Sequence, residues 1–102
     1  MISVLETMNS CFIVGHIHEM PVPVTEGMRT RSVMKISCTR PYPEPDGTFT
    51  QDVFTIMLWR GIAEDACSAC NKGDAVAVKG RLIMEKDQPL IIAEHMSLPA
   101  TF

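Results

Sequence analysis

The chain has 102 residues, enough for one small domain and too few for two. A hydrophobic fraction of 46% argues against disorder, and a core of this size often needs oligomerisation as a supplement. The formal net charge of −3 counts against a nucleic-acid partner on composition alone, so the placement of the nine Lys and Arg residues decides that question.

Residues 1–8 hold no basic segment followed by an apolar run, and no apolar stretch reaches the length of a membrane span. A cytoplasmic location is therefore expected, with Cys11, Cys38, Cys67 and Cys70 reduced.

There is no internal repeat and no low-complexity segment. Residues 11–18 (CFIVGHIH) read as a first strand, apolar on both faces at its start, with Gly15 marking a bend or bulge. Residues 20–30 contain Pro21, Pro23 and Gly27 and read as a loop. Residues 31–40 alternate: Met34, Ile36 and Cys38 fall on one face, and Arg31, Lys35, Ser37 and Thr39 on the other. Residues 41–51 carry three prolines and an Asp46-Gly47 turn, an exposed connection. Residues 52–60 alternate again, Phe54, Ile56 and Leu58 opposing Val53, Thr55, Met57 and Trp59.

Residues 62–71 (IAEDACSACN) predict a helix, with acidic residues in its first turn and Gly73 after its last. Residues 75–85 return to strand, Val76, Val78, Leu82 and Met84 opposing Lys79 and Arg81. Residues 86–88 make a tight turn, and residues 90–98 form the last strand, in which Glu94 shares the parity of Leu90, Ile92 and Met96. A buried Glu94 would need a hydrogen-bonding partner.

Three strands, a helix and two strands is the element order of the OB-fold, an all-β five-stranded Greek-key barrel with one helix. The expected core is Met34, Ile36, Phe54, Ile56, Leu58, Val76, Val78 and Leu82, which share one parity across three strands. Parity alone places Arg29, Arg31, Lys35, Trp59, Lys79 and Arg81 on the opposite, outward face.

No nucleotide-binding glycine loop, zinc-protease helix or nucleophile elbow occurs, so no enzyme is expected. The Cys67-Ser-Ala-Cys70 pair invites a zinc reading, but Cys11 and Cys38 lack the matching close spacing. His16 and His18, with His95, form a second conceivable metal set; a structural or surface role is the commoner use of such residues. Neither a metal nor a cofactor is expected.

Three phrases carry a resemblance. Met8-Asn9-Ser10-Cys11-Phe12-Ile13-Val14-Gly15, Leu58-Trp59-Arg60-Gly61-Ile62-Ala63-Glu64, and the run from Lys72-Gly73-Asp74 to Gly80-Arg81-Leu82 follow in order with compatible spacing. Together they resemble the single-stranded DNA-binding (SSB) protein family, over about residues 8–98. The resemblance implies an N-terminal extension at residues 1–7, a binding domain at 8–98 and a short end at 99–102. It implies homo-oligomers, dimers or tetramers, paired through the first strand and the outer barrel surface. It also implies single-stranded DNA as partner, in replication, recombination or repair.

Such binding needs a basic groove for phosphates and aromatics that stack on bases. The outward Arg29, Arg31, Lys35, Lys79 and Arg81 supply the first, with a solvated surface as their other reading. By resemblance, Trp59 and Tyr42 stand where the family places stacking aromatics. Outward parity argues against Trp59 as core, whereas stacking and simple loop packing stay open for Tyr42.

Two further positions of family aromatics are Val53 and Asp87 here, and the hairpin between the last two strands is short. No acidic run precedes Phe102, so partners recruited through an acidic tail are not expected. These departures sustain an alternative, an OB-fold protein-interaction subunit of primosome or phage-accessory type with weak or no DNA affinity.

Overall fold

The computed structural model describes residues 8–97, apart from the side chains of Glu26, Arg29 and Arg60. The expected extension at 1–7, the end at 99–102 and Leu98 lie outside the described residues. The elements are β1 (Cys11–Glu26), β2 (Arg29–Thr39), β3 (Gln51–Leu58), α1 (Arg60–Ala69), β4 (Ala75–Glu85) and β5 (Gln88–Ser97). They close into a barrel in the order β1-β2-β3-β5-β4, with β4 returning to β1. Every pairing is antiparallel except β3–β5, which is parallel at Ile56↔Ile91 and Met57↔Ile92. This is the expected OB-fold, with its helix between the third and fourth strands.

Period-two alternation builds the core. Met34, Ile36, Ile56, Leu58, Val76 and Val78 are buried as expected, joined by Ile17, Ile91 and Ala93. The helix buries Ala63, Ala66 and Cys70, spaced as one helical stripe. Two expected core residues are not buried: Phe54 is 36% exposed and Leu82 46%. Both face inward but lie where the barrel is not closed. Phe54 precedes the two β3 residues that pair with β5, and Leu82 lies past Gly80, the last β4 residue paired with β1. There the Asn9 side chain stands in for a strand. Its Nδ2 donates to the Leu82 carbonyl at 2.8 Å, and the Leu82 N–H donates to Asn9 Oδ1 at 2.9 Å.

The segment read as a loop at 20–30 is instead strand: β1 runs on to Glu26 and turns at Gly27-Met28 into β2. Two register shifts fall between Ile17 and Val22, so five steps along β1 face three along β2. These bulges bend β1 from its pairing with β4 to its pairing with β2. Pro21 and Pro23 lie where β1 pairs with β2 alone, an edge that tolerates a missing N–H.

The helix begins at Arg60 rather than Ile62, so Glu64 and Asp65 fall beyond its first turn, contrary to the expectation of an acidic start. Trp59 is the N-cap without a side-chain cap bond, and Cys70 ends the helix in an extended conformation. Gly73, at φ 95°, serves the following turn, where its N–H donates to the Ile17 carbonyl at 2.8 Å. β5 begins at Gln88, two residues before the expected start, after a turn whose Lys86 and Asp87 both have positive φ, as a two-residue type I′ hairpin requires. A bulge between the Gly80↔Ala93 and Lys79↔His95 pairs leaves Glu94 as the extra residue, exposed. It switches parity along β5, so Ile91 and Ala93 face the core before it and Met96 packs against the core after it.

Gly15 and Gly80 permit close crossings. A Cβ on Gly15 would collide with the Ser37 carbonyl of β2, and one on Gly80 with the Ile92 carbonyl of β5. Gly15 thus marks a close backbone approach; the bulges lie further along β1.

Candidate nucleic-acid interface

The outward face of β2–β3 is built from the residues alternate to the core row; one of them, Met57, which alternation placed outward, is itself buried against the Arg31 guanidinium. Trp59 extends the outward row Val53-Thr55-Met57 by one residue, because its extended backbone (φ −74°, ψ 158°) keeps the strand's alternation up to the helix. Its ring is 56% exposed. Lys35 stands between Thr55 on β3 and Glu19 on β1.

Arg31 begins the β2 outward row, and it is engaged. Its Nη2 donates to Glu85 Oε1 at 2.5 Å and its Nη1 approaches the buried Met57 sulfur at 3.3 Å. Glu85 ends β4, so the β4–β5 arm reaches over β3 to β2. Arg31 also lines a cleft of about 410 Å³ between the β1–β2 hairpin and α1, with Pro21, Pro23, Ala63 and Cys67.

The remaining candidates divide. Arg81 pairs with Ile92, which pairs with Met57, which pairs with Val33, so Arg81 continues the β2–β3 surface. Lys79 stands on the other side of the barrel, between Phe12 of β1 and His95 of β5. There it lines a groove of about 270 Å³ with Phe12, Val14 and Ala77. Phe12 and Val14 are 75% and 68% exposed. The side chain of Arg29 lies outside the described residues.

Tyr42 is exposed on the β2–β3 loop, residues 40–50. That connection is pinned by its own bonds. Arg40 and Asp52 form a two-bond fork, each bond 3.0 Å, which holds the Asp52 carboxyl below its ordinary range and raises the guanidinium's. Asp46 Oδ1 accepts the Thr48 hydroxyl at 2.6 Å and the Thr48 N–H at 3.0 Å, lowering the Asp46 carboxyl likewise. Glu44 Oε1 accepts from the Thr50 hydroxyl at 2.6 Å, and backbone bonds Arg40→Thr50, Glu44→Thr48 and Gly47→Glu44 close the loop.

The loop also presents Phe49, 54% exposed, which the sequence reading passed over. The signal was available: Phe49 has the parity of Val53 and Trp59. The turn residues between the strands hid it, because alternation was not followed into them.

Among the described residues, no three His, Cys, Asp or Glu groups come together as a metal site. All four cysteines are free. Burial chiefly, then Asp74 and Cys67, pushes the Cys70 thiol up; burial and then Asp52 push up that of Cys38. Both disfavour the reactive thiolate.

No protein-family model matches the chain, and no curated protein sequence matches it. Solved structures do. The small single-stranded DNA-binding protein of Streptomyces coelicolor superposes with a TM-score of 0.68 at 22% identity, over 87% of this chain and 91% of that one. The mitochondrial single-stranded DNA-binding protein of S. cerevisiae gives 0.70 at 16% identity, over 87% and 90%. A deletion variant of the single-stranded DNA-binding protein of Thermus aquaticus gives 0.63 at 16% identity, over 89% of this chain and 50% of that one. At these identities the likeness establishes the fold alone: the chain is a closed five-stranded OB-fold barrel.

Proposed function

We propose that the chain binds single-stranded DNA without sequence specificity, on the outward face of β2–β3, in replication, recombination or repair. The observation that carries this reading is an exposed Trp59 with Lys35 and Arg81 on one surface of this fold. Lys35 and Arg81 hold phosphates in a high-dielectric groove, and bases stack on Trp59. Arg31 contributes by exchanging Glu85 for phosphate, and Arg29 extends the basic track; Lys79, around the barrel beside Phe12, meets phosphate only where the strand wraps past this face. Tyr42 is a further stacking platform at the loop.

The assembly is a homo-oligomer formed through β1. Phe12 and Val14 form an exposed apolar pair on the β1–β4 face, and a second copy would cover them. The chemistry is binding only, in the cytoplasm, with no cofactor.

Trp59 is the only tryptophan, so its fluorescence reports one point of the surface. Oligo(dT) should quench it, and affinity should fall with salt as counterions are released. Trp59→Ala should cost about 1–3 kcal/mol of binding, the range for one base–aromatic stack.

One observation favours the alternative, a protein-interaction subunit. Glu85 already holds Arg31, and Lys79 sits with Phe12, which leaves the β2–β3 face with fewer cations than the sequence offers. No quenching and no gel-shift complex at low salt would replace the DNA reading with that one.

A further inference from the structure

We infer that Phe49 is a further base-stacking residue in addition to Trp59 and Tyr42, placed at the end of the β2–β3 surface away from Trp59. This rests on the single-stranded DNA reading above and adds to it a residue and a length. An exposed phenylalanine alone means little, since isolated apolar side chains are common on protein surfaces. Two further observations give this one a direction and a rigid mount.

The direction comes from register. β2 and β3 pair down to Thr39↔Gln51, and the Arg40 N–H to Thr50 carbonyl bond, 2.9 Å, carries the ladder one step into the loop. Phe49 therefore continues the outward row of Gln51, Val53, Thr55 and Trp59. At about 3.3 Å per residue the row from Phe49 to Trp59 spans on the order of 30 Å. That is too far for one base to reach both rings, and suits a strand laid along β3.

The mount comes from the loop's own bonds. Phe49 is bracketed by Thr48, held by Asp46 and by the Glu44 N–H, and by Thr50, held by Glu44 and by the Arg40 N–H. Pro41, Pro43 and Pro45 stiffen the facing arm. A ring presented on a prefixed loop stacks with little ordering cost. The row between the rings carries Val53, where the resembling family often has an aromatic, so Phe49 lengthens a track that is otherwise short.

The test separates the two ends of the track. Binding is measured with oligo(dT) of about 4 and about 16 nucleotides, the bounds of site size for one OB-fold. Phe49→Ala should weaken the longer oligomer about tenfold and leave the quenching of Trp59 by the shorter one unchanged. Phe49→Tyr should restore the loss, and Phe49→Leu, which keeps apolar bulk without a ring face, should not. In a Trp59→Phe, Phe49→Trp double variant, the new fluorescence should be quenched by the longer oligomer.

Full affinity of Phe49→Ala or Phe49→Leu for the longer oligomer, with Trp59→Ala still weakened, overturns the inference and leaves the DNA reading standing. Equal losses on both oligomers also overturn it, because Phe49 would then act through the fold. If the unaltered protein binds neither oligomer at low salt, the DNA reading fails and this inference with it.

Discussion

The outward surfaces of β2–β3 and of β1–β4 both expose large apolar side chains, yet they are built differently. On β2–β3 the exposed rings Trp59 and Phe49 stand at opposite ends of one row, Lys35 stands on the neighbouring strand, and a pinned loop forms the rim. On β1–β4 the exposed Phe12 and Val14 lie two residues apart on one strand, beside Ala77, with Lys79 at the margin of the groove. Rings spaced along a row, with a cation on the neighbouring strand, suit a polyanion with flat bases. An apolar pair concentrated at one spot suits another apolar surface. Exposed hydrophobicity by itself does not separate a nucleic-acid face from a subunit interface; the placement of charge and the rigidity of the rim do.

The largest expected effect is on assembly. Phe12→Asp with Val14→Asp should weaken self-association by more than about 100-fold, since each chain would lose two large apolar side chains from the contact and gain two like charges. Light scattering at micromolar concentration should report a fall in mass. Quenching of Trp59 by oligo(dT), per chain, should survive. A variant that keeps the original mass would remove β1–β4 as the contact, and the contrast between the faces would collapse.

A smaller effect distinguishes the cations. Each phosphate contact on a single strand contributes about 0.7 to the salt slope of log affinity. Lys35→Glu should flatten that slope by about this amount and weaken binding several-fold at low salt. Lys79→Glu should flatten it less, because Lys79 stands between Phe12 and His95, around the barrel from Trp59. Equal effects would mean that DNA wraps onto the β1–β4 side and that the two faces are one surface.

These positions show what the sequence could and could not reveal. Alternation reports which way a side chain points, and it assigned Met34, Ile36, Ile56, Leu58, Val76 and Val78 to the core. It does not report where a barrel closes, so Phe54 and Leu82 point inward and stay half-exposed. Proline and glycine counts made a loop of a segment that is strand, because the bulges between Ile17 and Val22 are created by pairing with two different strands. The outward residues were legible as outward, but parity carries no information on position around the barrel. Only the closed order β1-β2-β3-β5-β4 separates Lys79 from Lys35, and only the reach of the β4–β5 arm brings Glu85 to Arg31. Phe49 was within reach of the same rule that found Trp59, had the alternation been carried past Gln51.

The smallest expected effect concerns acid, and it separates the faces by their rims. Hydrogen bonding from Arg40 and Thr48 holds the Asp52 and Asp46 carboxyls below the ordinary aspartate range in the folded protein. An unfolded aspartate titrates near about 3.9. Their contribution is therefore complete above that value and is lost as pH falls through the lowered folded values. Both carboxylates belong to the β2–β3 loop and its base, so acid should loosen that loop while the barrel stays folded. The protection factor of the Thr48 amide, read by NMR from about pH 6 down to about pH 3 and so corrected for the slowing of intrinsic exchange in acid, should fall more than those of Phe12 and Val14. Asp46→Ala should reproduce the loosening at neutral pH, since it removes the acceptor of both Thr48 bonds. If the protection of Thr48 tracks that of Phe12 and Val14 throughout, the prolines and the backbone bonds hold the loop. The rigid mount of Phe49 would then owe nothing to its carboxylates, and the difference between the two faces would rest on their charges and rings.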